Sequence, residues 1–192
     1  MSILGFFTVL FLIVCAVILA EMYREQHYFC VTHYEVHSPK ITCTAEKDSV
    51  NRIIFLSDMH NHVYGEQNNK LFEAIKAEQP DLILIGGDML VAKNDVRYQE
   101  ALDFVSRLPQ LCPVYYASGN HEQRIKENQE NYSLFYEEYR KKLQAEGVHF
   151  LENESCTDQW TGNSENDRLK LEFTGLELPL QSYKKCKKYP VS

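Results

Sequence analysis

Three short apolar segments of the chain are each followed by polar residues of types that bind metal ions. These residues are Asp58 and His60 after RIIFLS (52–57), Asp88 after DLILI (81–85), and Asn120 with His121 after PVYYA (113–117). Such short apolar runs are typical of strands buried on both faces of a parallel sheet. Asp58, Asp88 and Asn120 lie 30 and 32 residues apart, a length that fits one strand and one helix. Because the carboxyl ends of parallel strands meet at one edge of a sheet, we expect the three positions to converge there.

The residue types indicate the chemistry of this site. Carboxylate, imidazole and amide oxygen ligands suit divalent Mn, Fe, Zn or Ni. A carboxylate in the middle position, Asp88, can bridge two cations about 3.5–4 Å apart, which acidify a shared water and hold both ends of a phosphoryl displacement. Asp58 and His60 would then complete the coordination of the first cation, and Asn120 would bind the second. An imidazole at His121 can donate a proton to a leaving oxygen.

Each of these residues alone has a simpler explanation, because such types are common in turns and at helix caps. Three strand ends in register, joined by His60 and His121, favour the metal site instead. We expect His62 to be a histidine of the cleft wall or of the surface rather than a metal ligand. We expect Glu122 to support the site from behind or to begin a helix, where a negative charge is favourable.

Helix and strand patterns alternate around these positions. Helical spacing and proline stops predict helices at 69–79, 98–108 and 131–146. Two further strands are predicted at 148–151 and 169–175, a loop or hairpin at 154–167, and a strand with a turn at 29–41. The order strand, helix, strand, helix, strand favours parallel neighbours and therefore an α/β domain.

The segment 3–20 contains 18 residues without a charge. As a helix it is about 27 Å long, just enough to cross a hydrocarbon core of about 30 Å. A cleaved signal peptide is the alternative, because Ile18 and Ala20 form a tolerable cleavage site before Glu21, but no Lys or Arg precedes the run. We expect an uncleaved single-pass anchor at a membrane, on an undetermined side. A net charge of −7 argues against long nucleic acids as partners.

The set D-x-H, then G-D, then G-N-H-E, each after a buried strand, resembles the calcineurin-like metallophosphoesterase superfamily over residues 51–175. With its N-terminal span the chain is most similar to membrane-associated bacterial members. The resemblance implies a sandwich of two mixed β-sheets flanked by helices. It also implies two divalent metal ions, a phosphomonoester or phosphodiester substrate, and a metal-bridging hydroxide as nucleophile. The expected division is an anchor at 1–22, a linker with the first strands at 23–50, and the phosphoesterase domain at 51–192.

One departure from the family pattern concerns the later metal ligands. Family members supply them from a further histidine and from a G-H-x-H motif, whereas the last histidine here is His149. We therefore expect this sequence to be the N-terminal part of such a domain, with impaired activity. The alternatives are a non-catalytic scaffold of the same fold for protein partners, and an inactive gene fragment.

Overall fold

The computed structural model describes residues 3–36, 52–92, 98–128, 133–161 and 168–182. They belong to two compact units, Met1–Val36 and His37–Ser192. The first unit consists of helix α1 (Ile3–His27) and of residues 28–36, which form neither helix nor strand. The strand predicted at 29–41 is therefore wrong for residues 29–36, because an alternating sequence becomes a strand only where a second strand pairs with it. The rest of that prediction lies outside the described residues.

Helix α1 exposes large apolar side chains along its whole length, from Ile3 at 80% to Leu19 at 65% exposure. Residues Ile3–Glu25 are long and apolar enough to cross a membrane, by length and composition. A signal sequence near an N-terminus meets the same two criteria.

The second unit is built on a parallel four-stranded sheet. Its strands lie in the order β1 (Ile53–Leu56), β2 (Leu82–Ile85), β3 (Val114–Tyr116) and β4 (Val148–Phe150). Every neighbouring pair is parallel. The first three strands are those predicted to carry the polar residues, so their carboxyl ends lie at one edge.

The helices after the first strand are α2 (Asn69–Ala77), α3 (Gln99–Val105), α4 (Asn120–Glu127) and α5 (Ser133–Ala145). Side chains from α2, α3 and α5 form a core with one face of the sheet, in which Phe104, Tyr139, Leu143 and Ile83 are fully buried. The helices predicted at 69–79, 98–108 and 131–146 are confirmed, with ends that differ by up to three residues, while residues 131 and 132 lie outside the described residues. Helix α4 was not predicted, because its sequence NHEQRIKE is polar at most positions.

Strand β1 differs from its prediction in burial. Phe55 is 67% exposed and Ile53 45%, whereas Ile83 and Ile85 on β2 are buried. The reason is position, since β1 is an edge strand of the described sheet. The prediction that this strand is buried on both faces is therefore wrong.

A second, antiparallel sheet consists of β5 (Ser155–Thr161) and β6 (Arg168–Thr174). It contacts the face of the parallel sheet opposite to the core, where the Phe173 ring centroid lies 5.4 Å from that of Tyr115. The stretch predicted as a loop or a hairpin thus contains a paired strand. A parallel sheet and an antiparallel sheet flanked by helices confirm the predicted α/β architecture.

Candidate metal centre

The three polar segments lie together because β1, β2 and β3 are parallel neighbours. We call residues 57–62 the first loop, residues 86–92 the second loop, and residues 117–119, which lead into α4, the third loop. Backbone hydrogen bonds continue between the first two loops beyond the strands. The N–H of Asp58 donates to the carbonyl of Gly87 at 3.1 Å, and the N–H of His60 to that of Asp88 at 2.9 Å. The first two loops are therefore held side by side at the sheet edge.

The backbone of these loops is left-handed at four residues other than glycine. They are Asp58, His60, Asn61 and Asp88, with φ of 57°, 50°, 57° and 53°. Asp, Asn and His are several-fold enriched among such residues. This conformation costs about 1–3 kcal/mol per residue and persists where the surroundings hold it. The hydrogen bonds between the two loops provide that support.

Three of the side chains predicted to bind metal converge at the loops. Asp58, His60 and Asp88 each offer one ligand atom, and these atoms all lie within 4.8 Å of one another. His60 Nε2 is 3.6 Å from Asp58 Oδ1, and these two side chains are 40% and 67% exposed. Ser57 Oγ donates to Asp58 Oδ2 at 2.7 Å and so restrains that carboxylate. The cluster is open to solvent on the side of the first loop.

Asn120, the fourth predicted ligand, lies against the middle carboxylate. Its side-chain amide donates to both oxygens of Asp88, at 3.3 and 3.2 Å, and the backbone N–H of His121 donates to Oδ1 at 2.7 Å. The third loop comes this close because it has glycine at 119, where a Cβ would lie 2.3 Å from Asp88 Oδ1. Gly87, with φ of +85°, leaves room in turn for the backbone of Gly119. Asp88 thus contacts the third loop and helix α4 as well as the first loop.

His121 lies between the cluster and the second loop. Its Nδ1 accepts a hydrogen bond from the backbone N–H of Ala92 at 3.0 Å, so the neutral ring carries its proton on Nε2. The ring packs edge-on against His60, with centroids 4.9 Å apart. Burial lowers the pKa of His121, while the carboxylate of Asp88 acts in the opposite direction. In this tautomer the donor that the ring offers is Nε2–H.

The contribution of Ala92 to the site was not predicted from the sequence, and that of Glu122 was predicted only in outline. The hydrogen bond from Ala92 uses a backbone N–H, which leaves no side-chain signal. Glu122 is fully buried and accepts hydrogen bonds from the backbone N–H groups of Asp88 and Gly119. Burial raises the pKa of Glu122, whereas the backbone donors lower it. Its sequence signal is a glutamate three residues after Gly119, the third position of a helix.

The donor set fits a divalent cation. Asp58 and Asp88 bring two carboxylates together, and no Lys or Arg among the described residues forms an ion pair with either of them. A cation between them would neutralise this local negative charge. Metal–ligand bonds of about 2.0–2.2 Å join donor atoms up to about 4.4 Å apart. Donor atoms within 4.8 Å of one another need to move by only a few tenths of an ångström to share one ion.

Comparisons with known proteins identify the family. The family model described as calcineurin-like phosphoesterase matches residues 51–183. Neither the comparison with curated proteins nor that with solved structures found a match. The matched range contains all three loops and both sheets, and it confirms the resemblance inferred from the D-x-H, G-D and G-N-H-E motifs. Because this match covers more than two thirds of the 192 residues, the chain belongs to the calcineurin-like phosphoesterase family.

Proposed function

We propose that this protein is a metal-dependent phosphoesterase that hydrolyses a phosphomonoester or a phosphodiester. The observation that carries the proposal is the cluster of Asp58, His60 and Asp88, whose ligand atoms lie within 4.8 Å of one another. His121 lies beside it, in contact with His60. Membership of a family of phosphoester hydrolases supports the same reaction class.

Two divalent cations of the Mn, Fe, Zn or Ni type are the proposed cofactors. Asp58, His60 and Asp88 would hold the first ion, and Asp88 and Asn120 the second. Such a pair supplies a hydroxide nucleophile at neutral pH and offsets the charge on the phosphoryl oxygens.

The residues of the chain would position the substrate and stabilise its leaving group. His121 would donate a hydrogen bond from Nε2–H to the leaving oxygen, because Ala92 occupies its Nδ1. Asp88 is oriented by the side chain of Asn120 and by the backbone N–H of His121. This contact fixes the carboxylate that the two ions would share.

The two proposed cation sites have unequal numbers of protein ligands. The first has three and the second has two, one of which is shared. We expect the second cation to bind more weakly than the first, since about four ligands complete the coordination of such ions. Turnover would then be limited by occupancy of the second site at low metal concentration.

We further propose that helix α1 anchors the protein in a membrane. Support comes from its length and from the apolar side chains exposed along it. In this proposal residues 1–22 form the anchor, residues 23–50 a linker, and residues 51–192 the catalytic domain.

The experiment compares the unaltered chain with Asp88→Asn, which keeps the size of the side chain and removes its negative charge. The measurements are bound Mn²⁺ after dialysis and hydrolysis of p-nitrophenyl phosphate and of bis(p-nitrophenyl) phosphate. Loss of a group that only supports a metal ligand lowers metal affinity or activity by about 10–100-fold. The Asp88→Asn variant should lose more than this, because Asp88 is a proposed ligand of both ions.

The control is Asp103→Asn, the same chemical change on the exposed side of α3. The Asp103 side chain accepts a hydrogen bond from Gln99, and its backbone carbonyl accepts one from Ser106. This variant should match the unaltered chain in metal content and in activity. An unaltered chain that binds no divalent metal would contradict the proposal and would favour a non-catalytic protein of this fold.

A further inference from the structure

Glu122 is a carboxylate without any exposure to solvent. It lies in the first turn of α4, two residues after Asn120. A buried carboxylate is costly unless hydrogen bonds compensate for the lost water. The position therefore requires donors, and the structure supplies five of them.

The five donors are divided between the two carboxylate oxygens. Oε2 accepts from the backbone N–H groups of Asp88 at 2.8 Å and Gly119 at 3.1 Å. Oε1 accepts from the backbone N–H groups of Met89 at 2.9 Å and Leu90 at 3.1 Å, and from the hydroxyl of Tyr116 at 2.9 Å.

Helix capping accounts for only one of these hydrogen bonds. A glutamate in the third position of a helix commonly accepts from the backbone N–H of the residue before the helix, which here is Gly119. Of the other four donors, three are backbone N–H groups of the second loop and one is the hydroxyl of Tyr116 on β3. The side chain thus joins two separate parts of the chain, which a cap alone does not require.

These hydrogen bonds act directly on the backbone of a proposed ligand. Asp88 has left-handed φ of 53°, and its N–H is held by Glu122. The same oxygen holds Gly119, the residue before Asn120. One carboxylate oxygen therefore links Asp88, one proposed ligand of the second cation, to the residue that precedes Asn120, the other.

We propose that Glu122 is a positioning residue that sets the affinity of the metal centre by fixing the second loop to the start of α4. This inference rests on the proposed function, because it needs Asp88 and Asn120 to bind metal. Among the described hydrogen bonds, the Glu122 side chain contacts backbone N–H groups and the Tyr116 hydroxyl, and none of the proposed ligand side chains. It acts through the placement of Asp88.

The first test is Glu122→Gln, which has the same size but presents an amide N–H to groups that are themselves donors. Mn²⁺ affinity, measured by the loss of the free-ion electron paramagnetic resonance signal, should fall by about 10–100-fold, the range for loss of a group that supports a metal ligand. Amide hydrogen exchange at residues 88–90 of the metal-free protein should become faster. Circular dichroism and thermal unfolding establish whether the variant is folded.

The matched control is Glu152→Gln, which removes a carboxylate that accepts from Tyr136 and pairs with Lys126 and Arg140, without contact to the three loops among the described interactions. It should bind Mn²⁺ as tightly as the unaltered chain, even if its thermal stability falls. A loss of affinity equal to that of Glu122→Gln would show a general stability effect and would overturn the inference.

A second variant decides the question if Glu122→Gln does not fold. Tyr116→Phe removes one of the five donors and keeps the buried ring, so it should weaken Mn²⁺ binding severalfold. If the unaltered chain binds Mn²⁺ and the folded variants bind it equally well, the inference about Glu122 is wrong while the proposed function stands. If the unaltered chain binds no Mn²⁺, both are wrong.

Discussion

His121 is oriented by contacts on three sides. The backbone N–H of Ala92 holds Nδ1, the ring of His60 packs against the imidazole, and the backbone N–H of His121 itself donates to Asp88. All three contacts are made by the chain alone. The direction of Nε2 is therefore set before a substrate arrives, which favours donation of a hydrogen bond from a fixed position.

Replacement of His121 by Asn tests this role. The Asn side chain offers an acceptor for Ala92 and has no group at the position of Nε2. Turnover should fall by about 10²–10³-fold, the usual range for loss of one donor aimed at developing charge. The loss should be greater for phenyl phosphate than for p-nitrophenyl phosphate, because the nitrophenolate is the better leaving group and needs less stabilisation. Steady-state rates on the two esters measure the difference.

The control for this variant is His62→Asn. The ring of His62 packs against Tyr64, with centroids 4.5 Å apart, and His62 was predicted to lie in the cleft wall or at the surface without binding metal. Its turnover should fall by less than tenfold, compared with about 10²–10³-fold for loss of the His121 donor. Equal losses on both esters for His121→Asn would show that the histidine does not stabilise the leaving oxygen.

The residue types at the site were predictable from the sequence, but their supports were not. Asp58, His60 and Asp88 belong to motifs at strand ends, and the structure brings the three together. The left-handed backbone at these positions follows from hydrogen bonds between loops, which are contacts of the folded chain. The contribution of Ala92 is independent of its side chain, so no residue type could have indicated it.

At the scale of the elements, the parallel sheet shows how the position of a strand changes the contribution of similar residues to stability. Ile83 on β2 is fully buried, whereas Ile53 on β1 is 45% exposed. Both are isoleucines in short apolar strands that pair with each other. Burial of apolar surface stabilises in proportion to the area removed from water. The central strand should therefore contribute more to stability.

Alanine substitutions at these two isoleucines give a matched comparison. Ile83→Ala should lower the free energy of unfolding by about 2–5 kcal/mol, because it leaves a cavity in a packed core. Ile53→Ala should cost about 1 kcal/mol or less, as is usual where a side chain stays partly exposed. Urea unfolding followed by circular dichroism measures both. Equal losses would show that β1 is covered in solution.

The order of elements was predictable, while the edge position of β1 was not. The segments RIIFLS and DLILI have the same apolar pattern, and both are strands. Which of them lies inside the sheet depends on the spatial order of strands, which local sequence does not encode. Helix α4 was missed for a related reason. It is anchored through Glu122 and Ile125, which are buried by other elements, in a sequence too polar to indicate a helix.

At the scale of the whole molecule, the family match and the N-terminal helix occupy separate parts of the chain. The match begins at residue 51, whereas α1 ends at His27. The apolar surface of α1 could be predicted from the sequence alone, because length and absence of charge are sufficient to identify a candidate membrane-spanning helix. Such a surface is stable in a bilayer and costly in water. We therefore expect α1 to remain on the protein and to determine its location.

Two pairs of arginine substitutions test the anchor. Phe11→Arg with Leu12→Arg places charges at the helix centre, where each costs about 2.5–3.5 kcal/mol on insertion scales. This variant should leave the membrane pellet on alkaline carbonate extraction, while the unaltered chain stays there. The variant with Ile3→Arg and Leu4→Arg, near the helix end, should also remain in the membrane pellet. Arginine side chains near the end of a spanning helix can reach the membrane–water interface. An unaltered chain found soluble at full length, or a mature N-terminus at Glu21, would contradict the anchor.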